Sequence, residues 1–357
     1  MVKIAVVTCY DQNDYVRART LRAAFAAAEG VECVVIKNYH KGLLRYPEVM
    51  LALLRLRLTN RIDAWVITFR GYEMLPFLLA LKGRKPLIFD EFINAAEYLQ
   101  EHNKLQATSR LGRLFRWWYG GLLRHCRFVL ADTQAHADYS SALCDVPLEK
   151  FRALPVSTDE AIFYPTATKP TASNDKPFTV FYYGNGMTSL HGLQYVLDAA
   201  VRLKDNAAVE FKIIGGKDRA RVACEVAVSR GARLAYASWE PFEELARQAR
   251  QASLCLGGPF GKTLQSRFVI TGKTYQFLAC GVPVLVGENL VSGVFEDKVN
   301  CLLVPPADVD AIEAAIRWAA AHPKHMQHIG QSGRQLYEQY FSQAKVNDIV
   351  AAIVKEL

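Results

Sequence analysis

The feature that most constrains the fold of this chain is a regular exchange between two hydrophobic patterns, made twice along its length. Lys3–Thr8 is a short unbroken apolar run, the signature of a strand buried on both faces. Tyr15–Ala28 has apolar residues at helical spacing, and Gly30 follows as a stop signal. The exchange continues through strand-like Cys33–Ile36, Ala64–Phe69, Pro86–Asp90, Phe128–Ala131 and Phe151–Pro155. Helical Pro47–Leu58, Glu73–Leu81, Ser109–Arg124 and Gln134–Leu143 lie between them. A second series has strands at Phe178–Tyr183, Glu210–Ile214, Leu234–Tyr236, Leu254–Leu256, Val284–Val286 and Cys301–Val304. Its helices lie near Leu190–Leu203, Asp218–Arg230, Pro241–Gln251, Gly272–Cys280 and Val309–Ala320, and the tail from about Gly333 is helical. Repeated β-α-β units demand parallel sheets covered by helices on both faces. The expected fold class is α/β, with two Rossmann-like doubly wound parallel-sheet domains facing a cleft.

Between the two series lies Tyr164–Pro177, YPTATKPTASNDKP, rich in Pro, Thr and Ser and without apolar periodicity. It marks the expected domain boundary. The chain has 357 residues, too many for one comfortable core. The expected division is 1–165, 178–335 and a C-terminal helix over 336–357.

With 51% hydrophobic and 22% charged residues the chain is a globular type, and its formal net charge of +8 points to an anionic partner. The eight cysteines are scattered, form no C-x-x-C pair and sit in apolar surroundings. They read as reduced core thiols rather than a disulfide framework or zinc site. The opening MVKIAVVTCYDQND reads as a first strand rather than an export signal, and no apolar run is long enough to span a bilayer. The expectation is a cytoplasmic protein, free or peripheral on the inner face of the membrane.

Four segments carry chemistry. In Phe181–Ala200, FYYGNGMTSLHGLQYVLDAA, a strand enters a loop holding Gly184, Asn185, Gly186 and Gly192 before a helix opens. Small residues and a helix N-terminus suit a phosphate, although an ordinary tight turn explains them equally; the spacing matches neither G-x-G-x-x-G nor a P-loop. His191 at the junction reads as structural or catalytic. In Gly257–Asn289 a Gly/Pro-rich loop carries Lys262, Arg267 and Lys273, three cations suited to a diphosphate or simply to solvent. Asp90 and Glu91 end a strand where they would act as a base, orient an acceptor hydroxyl, or cap a helix. Finally, Lys41–Arg61 carries five cations and one acid, and Lys104–Arg127 six cations and no acid around Phe115, Trp117, Trp118 and Tyr119. Such stretches suit an anionic membrane, or core helices whose arginines face water. No nucleic-acid module accompanies the charge. His322, His325 and His328 lack zinc-site spacing and partners.

Taken together, IFDEF, FVLADTQAHADY, EKFRALPVSTDEAIFYP, YGN…HGLQYVLDAA, FKIIGG, SWEPFEEL, KTYQFLACGVPVL and NCLLVPPADVDAIEAAI resemble family 4 glycosyltransferases of the GT-B fold, the bacterial surface-polysaccharide type. The resemblance runs over nearly the whole chain. It implies a retaining, metal-independent hexosyltransferase with no cofactor, using a nucleotide sugar as co-substrate and a lipid-linked or polysaccharide acceptor. It places the donor on the second domain. Gly184, Asn185, Gly186, Lys262, Arg267, Lys273, Thr274, Tyr275 and Gln276 would lie about the diphosphate and ribose. Gly215, Gly216, Trp239 and Glu240 would lie by the base. Asp90, Glu91 and His191 take the catalytic positions, and the C-terminal helix crosses back to the first domain. The chain departs from the family where Asn185 and His191 replace a usual Arg and Lys, and where Phe268 and Gln276 replace the two glutamates of E-x7-E. These departures keep open a second reading, a non-catalytic binding or scaffold subunit on the same fold. A sugar-nucleotide epimerase, a third reading, would carry more acids and histidines in its cleft.

Overall fold

The computed structural model describes residues 1–357 except 13, 60, 102–108 and 167–176. The first series of elements is β1 (Val2–Thr8), α1 (Val16–Ala27), β2 (Val31–Lys37), α2 (Arg45–Thr59), β3 (Ala64–Ile67), α3 (Leu75–Leu81), β4 (Leu87–Asp90), α4 (Ala95–Glu101), α5 (Arg110–Arg124), β5 (Phe128–Ala131), α6 (Gln134–Cys144) and β6 (Phe151–Ala153). The second is β7 (Phe178–Gly184), α7 (Leu193–Arg202), β8 (Val209–Gly215), α8 (Lys217–Ser229), β9 (Leu234–Ala237), α9 (Phe242–Gln251), β10 (Leu254–Leu256), α10 (Gly272–Ala279), β11 (Val284–Gly287), β12 (Leu302–Val304), α11 (Val309–Ala321), α12 (Pro323–Tyr340) and α13 (Gln343–Lys355).

The chain divides into two compact units. One comprises Met1–Ser157 and Gln343–Leu357, the other Thr158–Ser342. The break at Ser157/Thr158 precedes the polar stretch 164–177, of which 167–176 lie outside the described residues. Phe163 is buried and meets Phe242 edge-on at 6.1 Å, and Arg250 lies over the Tyr164 ring and donates to the Ile162 carbonyl. Those contacts attach residues 158–166 to the second unit. Composition reveals the polar stretch but not the buried anchors before it.

The first unit is built on a six-stranded sheet of order β2-β1-β3-β4-β5-β6, every pair parallel. Alternation along β1 sends Ile4 and Val6 to one face and Ala5 and Val7 to the other. On the first face lie Leu21, Ala24 and Phe25 of α1 with Val346, Val350 and Ile353 of α13. On the second lie α2, α3, α5 and α6, through Val49, Leu53, Leu78, Tyr119 and Ala137. Side-chain caps open two of these helices. Ser109 Oγ accepts from Gly112 N at 3.0 Å for α5, and Thr133 Oγ1 accepts from His136 N at 3.1 Å for α6.

The second unit is a six-stranded parallel sheet of order β12-β11-β10-β7-β8-β9. One face buries Val196, Leu197, Ala220, Ile312 and Ile316 of α7, α8 and α11. The tail is not one helix over 336–357. α12 runs to Tyr340, the backbone breaks at Phe341–Ser342, and α13 starts at Gln343, whose Nε2 donates to the Thr20 carbonyl at 3.0 Å. Ser342 Oγ donates to the Glu338 carbonyl at 3.0 Å, satisfying an acceptor at the end of α12. Helical periodicity continues through such a corner, so the pattern alone does not reveal it.

Candidate functional site

Within the second unit the chain leaves β7 toward β8 on one side and leaves β10 toward β11 on the other, while β7 and β10 are neighbours. Open parallel sheets bind ligands at this switch point, beyond the carboxyl ends of the strands. The loops leaving the two strands meet there. Gly261 N donates to the Leu190 carbonyl at 2.9 Å. A Cβ on Gly261 would stand 1.8 Å from Ser189 O. Gly192 has φ +66°, and its Cβ would stand 2.6 Å from the Phe260 carbonyl carbon. The glycines are therefore required by backbone approach. Gly261→Ala is expected to lower stability by about 1–3 kcal/mol. Gly186→Ala, whose nearest neighbour would be Thr188 Cγ2 at an ordinary 3.6 Å, should change it little. Thermal unfolding of the two variants checks this contrast.

Beneath these loops lies Lys273, in the first turn of α10 and only 5% exposed. Its Nζ sits 4.4 Å from the centre of the Tyr182 ring and has no hydrogen-bond partner. Burial pulls its pKa down to about 7. Tyr182 Oη donates to the His191 carbonyl at 2.7 Å, and the His191 Nδ1 lies 3.0 Å from Thr188 Oγ1. Burial, and then the charge of Lys273, hold His191 down at about 3, so its ring is neutral. Thr271 Oγ1 donates to the Gly257 carbonyl at 2.7 Å and pairs with Thr274 Oγ1 at 3.0 Å, tying α10 to the β10 loop. A cation buried without a counter-ion, between two glycine-bearing loops, is a ready anion site.

The other sequence-named positions separate around it. Lys262 and Arg267 are exposed, so of the three cations only Lys273 is enclosed. Asn185 and Gly186 are exposed on the loop, and Gly184 ends β7. Gly215 ends β8, and Gly216 N donates to the Asn185 carbonyl at 3.3 Å. Trp239 is 72% exposed and Glu240 half-buried. Tyr275 is buried and meets Phe341 edge-on at 5.1 Å. Gln276 is buried, and its Oε1 accepts the hydroxyl of Tyr183, a partner not singled out from the sequence.

In the first unit, Asp90 and Glu91 are both fully buried. Asp90 Oδ1 receives Arg17 Nε at 3.0 Å and Nη2 at 2.8 Å, and Arg17 also donates to the Leu154 and Pro155 carbonyls. Glu91 Oε1 receives Tyr119 Oη at 2.9 Å and Asn94 Nδ2 at 3.0 Å, and burial raises its pKa. Neither acid caps α4. Asn94 Oδ1 does so, accepting from Ala96 N at 2.9 Å and Glu97 N at 3.2 Å. Asp132 Oδ1 lies 2.6 Å from His136 Nδ1. Burial lowers the His136 pKa, but Asp132, Glu91 and Glu97 outweigh it and lift the pKa to about 9. Asp132 and His136 lie within FVLADTQAHADY, where nothing local marks them as a pair, and Arg17 carries no sequence signal beyond its place in α1. Among the described residues no group of three or more His, Cys, Asp or Glu is arranged to hold a metal ion.

The two sheets with their flanking helices are the two Rossmann-like domains of the GT-B glycosyltransferase fold. Residues 177–322, within the second unit, match the family described as Glycosyl transferases group 1. Sucrose-phosphate synthase from Thermosynechococcus elongatus superposes with a TM-score of 0.76 at 17% identity, over 100% of this chain and 99% of its own. HepE from Anabaena, solved with UDP and glucose, superposes at 0.74 with 12% identity over the whole of both chains. TarM superposes at 0.62 with 14% identity, over 86% of this chain and 58% of its own. No curated protein matches the sequence.

Proposed function

We propose that this protein is a retaining, metal-independent glycosyltransferase moving a hexose-type sugar from a nucleotide-sugar donor to a lipid-linked or polysaccharide acceptor in surface glycan synthesis, at the inner face of the membrane. The observation that carries the donor half is Lys273, a buried amine with no partner at the β7–β10 switch point. Negative charge grows on the leaving diphosphate as the sugar departs, and a preorganised cation with backbone N–H groups stabilises that state more than the ground state. His191, neutral and 3.0 Å from Thr188 through Nδ1, orients by hydrogen bonding and adds no charge. Retention of configuration and the acceptor class follow the family resemblance.

A thermal-shift panel of UDP, GDP, ADP, CMP and TDP sugars tests the reading. A ligand at about 100 times its Kd stabilises by about 2.7 kcal/mol. For a domain of this size that corresponds to a rise of roughly 5–11 °C. A protein that unfolds cooperatively yet responds to none of the panel would sink the proposal. Gln276 supports a second reading, a non-catalytic nucleotide binder, because its Oε1 is already committed to Tyr183. A shift with one sugar nucleotide, and no transfer or hydrolysis of that donor, would favour it.

A further inference from the structure

We propose, resting on the glycosyltransferase reading, that the first unit takes an anionic sugar as acceptor, held by Arg70 and the rings of Tyr10, Tyr15, Phe69 and Phe92. In the first sheet β1 leads to β2 on one side and β3 to β4 on the other, while β1 and β3 are neighbours. That is a second switch point, and a ligand belongs beyond the carboxyl ends of these two strands. Asp90 and Glu91, at the end of the adjoining β4, are fully buried and engaged by Arg17 and by Tyr119 and Asn94. The half-buried groups there include four aromatic rings. Tyr10 follows β1, Phe69 follows β3, Phe92 follows β4, and Tyr15 precedes α1. The Phe69 ring is the hub. Tyr10, Tyr15 and Phe92 meet it edge-on at 5.7, 5.9 and 5.1 Å between centres. The loop carrying Tyr10 is pinned, since Tyr10 N donates to Asn38 Oδ1 at 3.0 Å and Asp11 Oδ1 accepts from Gly42 N at 2.8 Å. Rings held in advance bind at lower entropic cost. A hexose presents C–H faces that pack on aromatic rings, and hydroxyls at its rim that stay hydrated.

Arg70 supplies the charge. It stands next to Phe69 with φ +62°, and Phe92 has φ +48°, so two bulky residues hold the left-handed conformation at the ends of adjacent strands. Such strain gathers at ligand sites. The Arg70 guanidinium lies 5.7 Å from the centre of the Tyr10 ring and 5.5 Å from that of Tyr98. Its Nε is buried without a hydrogen-bond partner, and Nη2 reaches Glu73 Oε1 only at 3.8 Å. The other oxygen of Glu73 is taken by Arg45 Nη2 at 3.2 Å and by the Tyr46 hydroxyl. A guanidinium placed over rings and short of hydrogen bonds suits a phosphate or carboxylate, which it meets with two parallel N–H groups. Tyr10 and Phe69, beside it, would take the sugar that carries this group.

The experiment is saturation-transfer NMR on the full chain, titrated with methyl glucoside, glucuronic acid and glucose 1-phosphate. A charged sugar is expected to bind with a millimolar Kd, roughly tenfold tighter than the neutral one. Preference for the carboxylate or for the phosphate identifies which of the two the acceptor carries. Arg70→Gln should abolish the preference and leave the affinity for methyl glucoside unchanged, whereas Arg70→Lys should keep part of it. Tyr10→Ala should weaken all three sugars by about tenfold. The preference should survive Lys273→Met, because Lys273 lies in the second unit and would also meet a phosphate. Equal affinity for charged and neutral sugars, or no binding of any at tens of millimolar, would overturn the proposal. So would a preference that Arg70→Gln leaves intact or that Lys273→Met removes. Failure of the donor reading would show separately, as no thermal response of the same parent protein to nucleotide sugars.

Discussion

Replacing Lys273 by methionine is expected to raise the melting temperature of the unliganded protein and to weaken binding of its nucleotide diphosphate by roughly 30- to 1000-fold. The two effects have one cause. The amine is buried over the Tyr182 ring with no hydrogen-bond partner, and its pKa falls from 10.5 to about 7. Holding it in the folded protein at neutral pH costs on the order of 4 kcal/mol. Methionine fills similar volume without that cost. A bound diphosphate supplies the missing counter-charge, and losing such an interaction removes about 2–4 kcal/mol of binding. The pH dependence follows from the same shift. Between about pH 7 and 10.5 the unfolded chain holds more protons than the folded one, so stability of the unliganded protein rises with pH across that window. Ligand binding runs the other way, weakening roughly tenfold per unit above pH 7 as the free amine loses its proton. Calorimetry in buffers of different ionisation enthalpy reads the coupled proton uptake. A Lys273→Met protein that binds as tightly as the parent, with an unchanged pH profile, would remove Lys273 from the site.

The second large effect is expected at the Arg17–Asp90 pair. Both side chains are at most 1% exposed, and one carboxylate oxygen receives two guanidinium nitrogens. Arg17→Ala leaves that carboxylate buried without its cation, and Asp90→Ala strands the guanidinium. Either single change should destabilise the first unit by about 3–5 kcal/mol. The double replacement Arg17→Met/Asp90→Leu should recover most of this, because apolar groups of similar size need no compensating charge. Denaturant unfolding of the three variants measures it. The double variant also tests Asp90 as a reacting group. Folded protein with parental turnover places Asp90 outside the chemistry, whereas loss of kcat without loss of donor binding keeps it inside. If the single variants were as stable as the parent, the pair would contribute nothing to the fold.

The strand and helix patterns were legible because they arise locally. An apolar run of strand length, or apolar residues at a 3.6-residue interval, is set by the geometry of the element itself. β5 and β10 have the bounds that the runs Phe128–Ala131 and Leu254–Leu256 predict. Corners were less legible. The α12–α13 break at Phe341–Ser342 interrupts no pattern, and the two compact units divide at Ser157/Thr158, before the polar stretch rather than within it. The glycine loops were visible, but their reason was not. Gly192 and Gly261 are excluded from carrying side chains by the backbone of each other's loop, about 70 positions apart in sequence.

The sequence by itself determined the α/β class, the doubling of the β-α unit, and the presence of glycines and cations after strands β7 and β10. Hydrophobic period and turn chemistry are short-range properties and survive in a linear reading. Only the tertiary structure decided which charges are enclosed. Lys262, Arg267 and Lys273 are equivalent cations in the sequence, yet the packing of α10 under the β7 loop buries Lys273 alone. Asp90 read from the sequence as a base, an acceptor-orienting group or a helix cap at a strand end, whereas the fold brings Arg17 of α1 against it. Burial and ion pairing depend on strand order, and strand order joins residues far apart in the chain, so no local pattern encodes them.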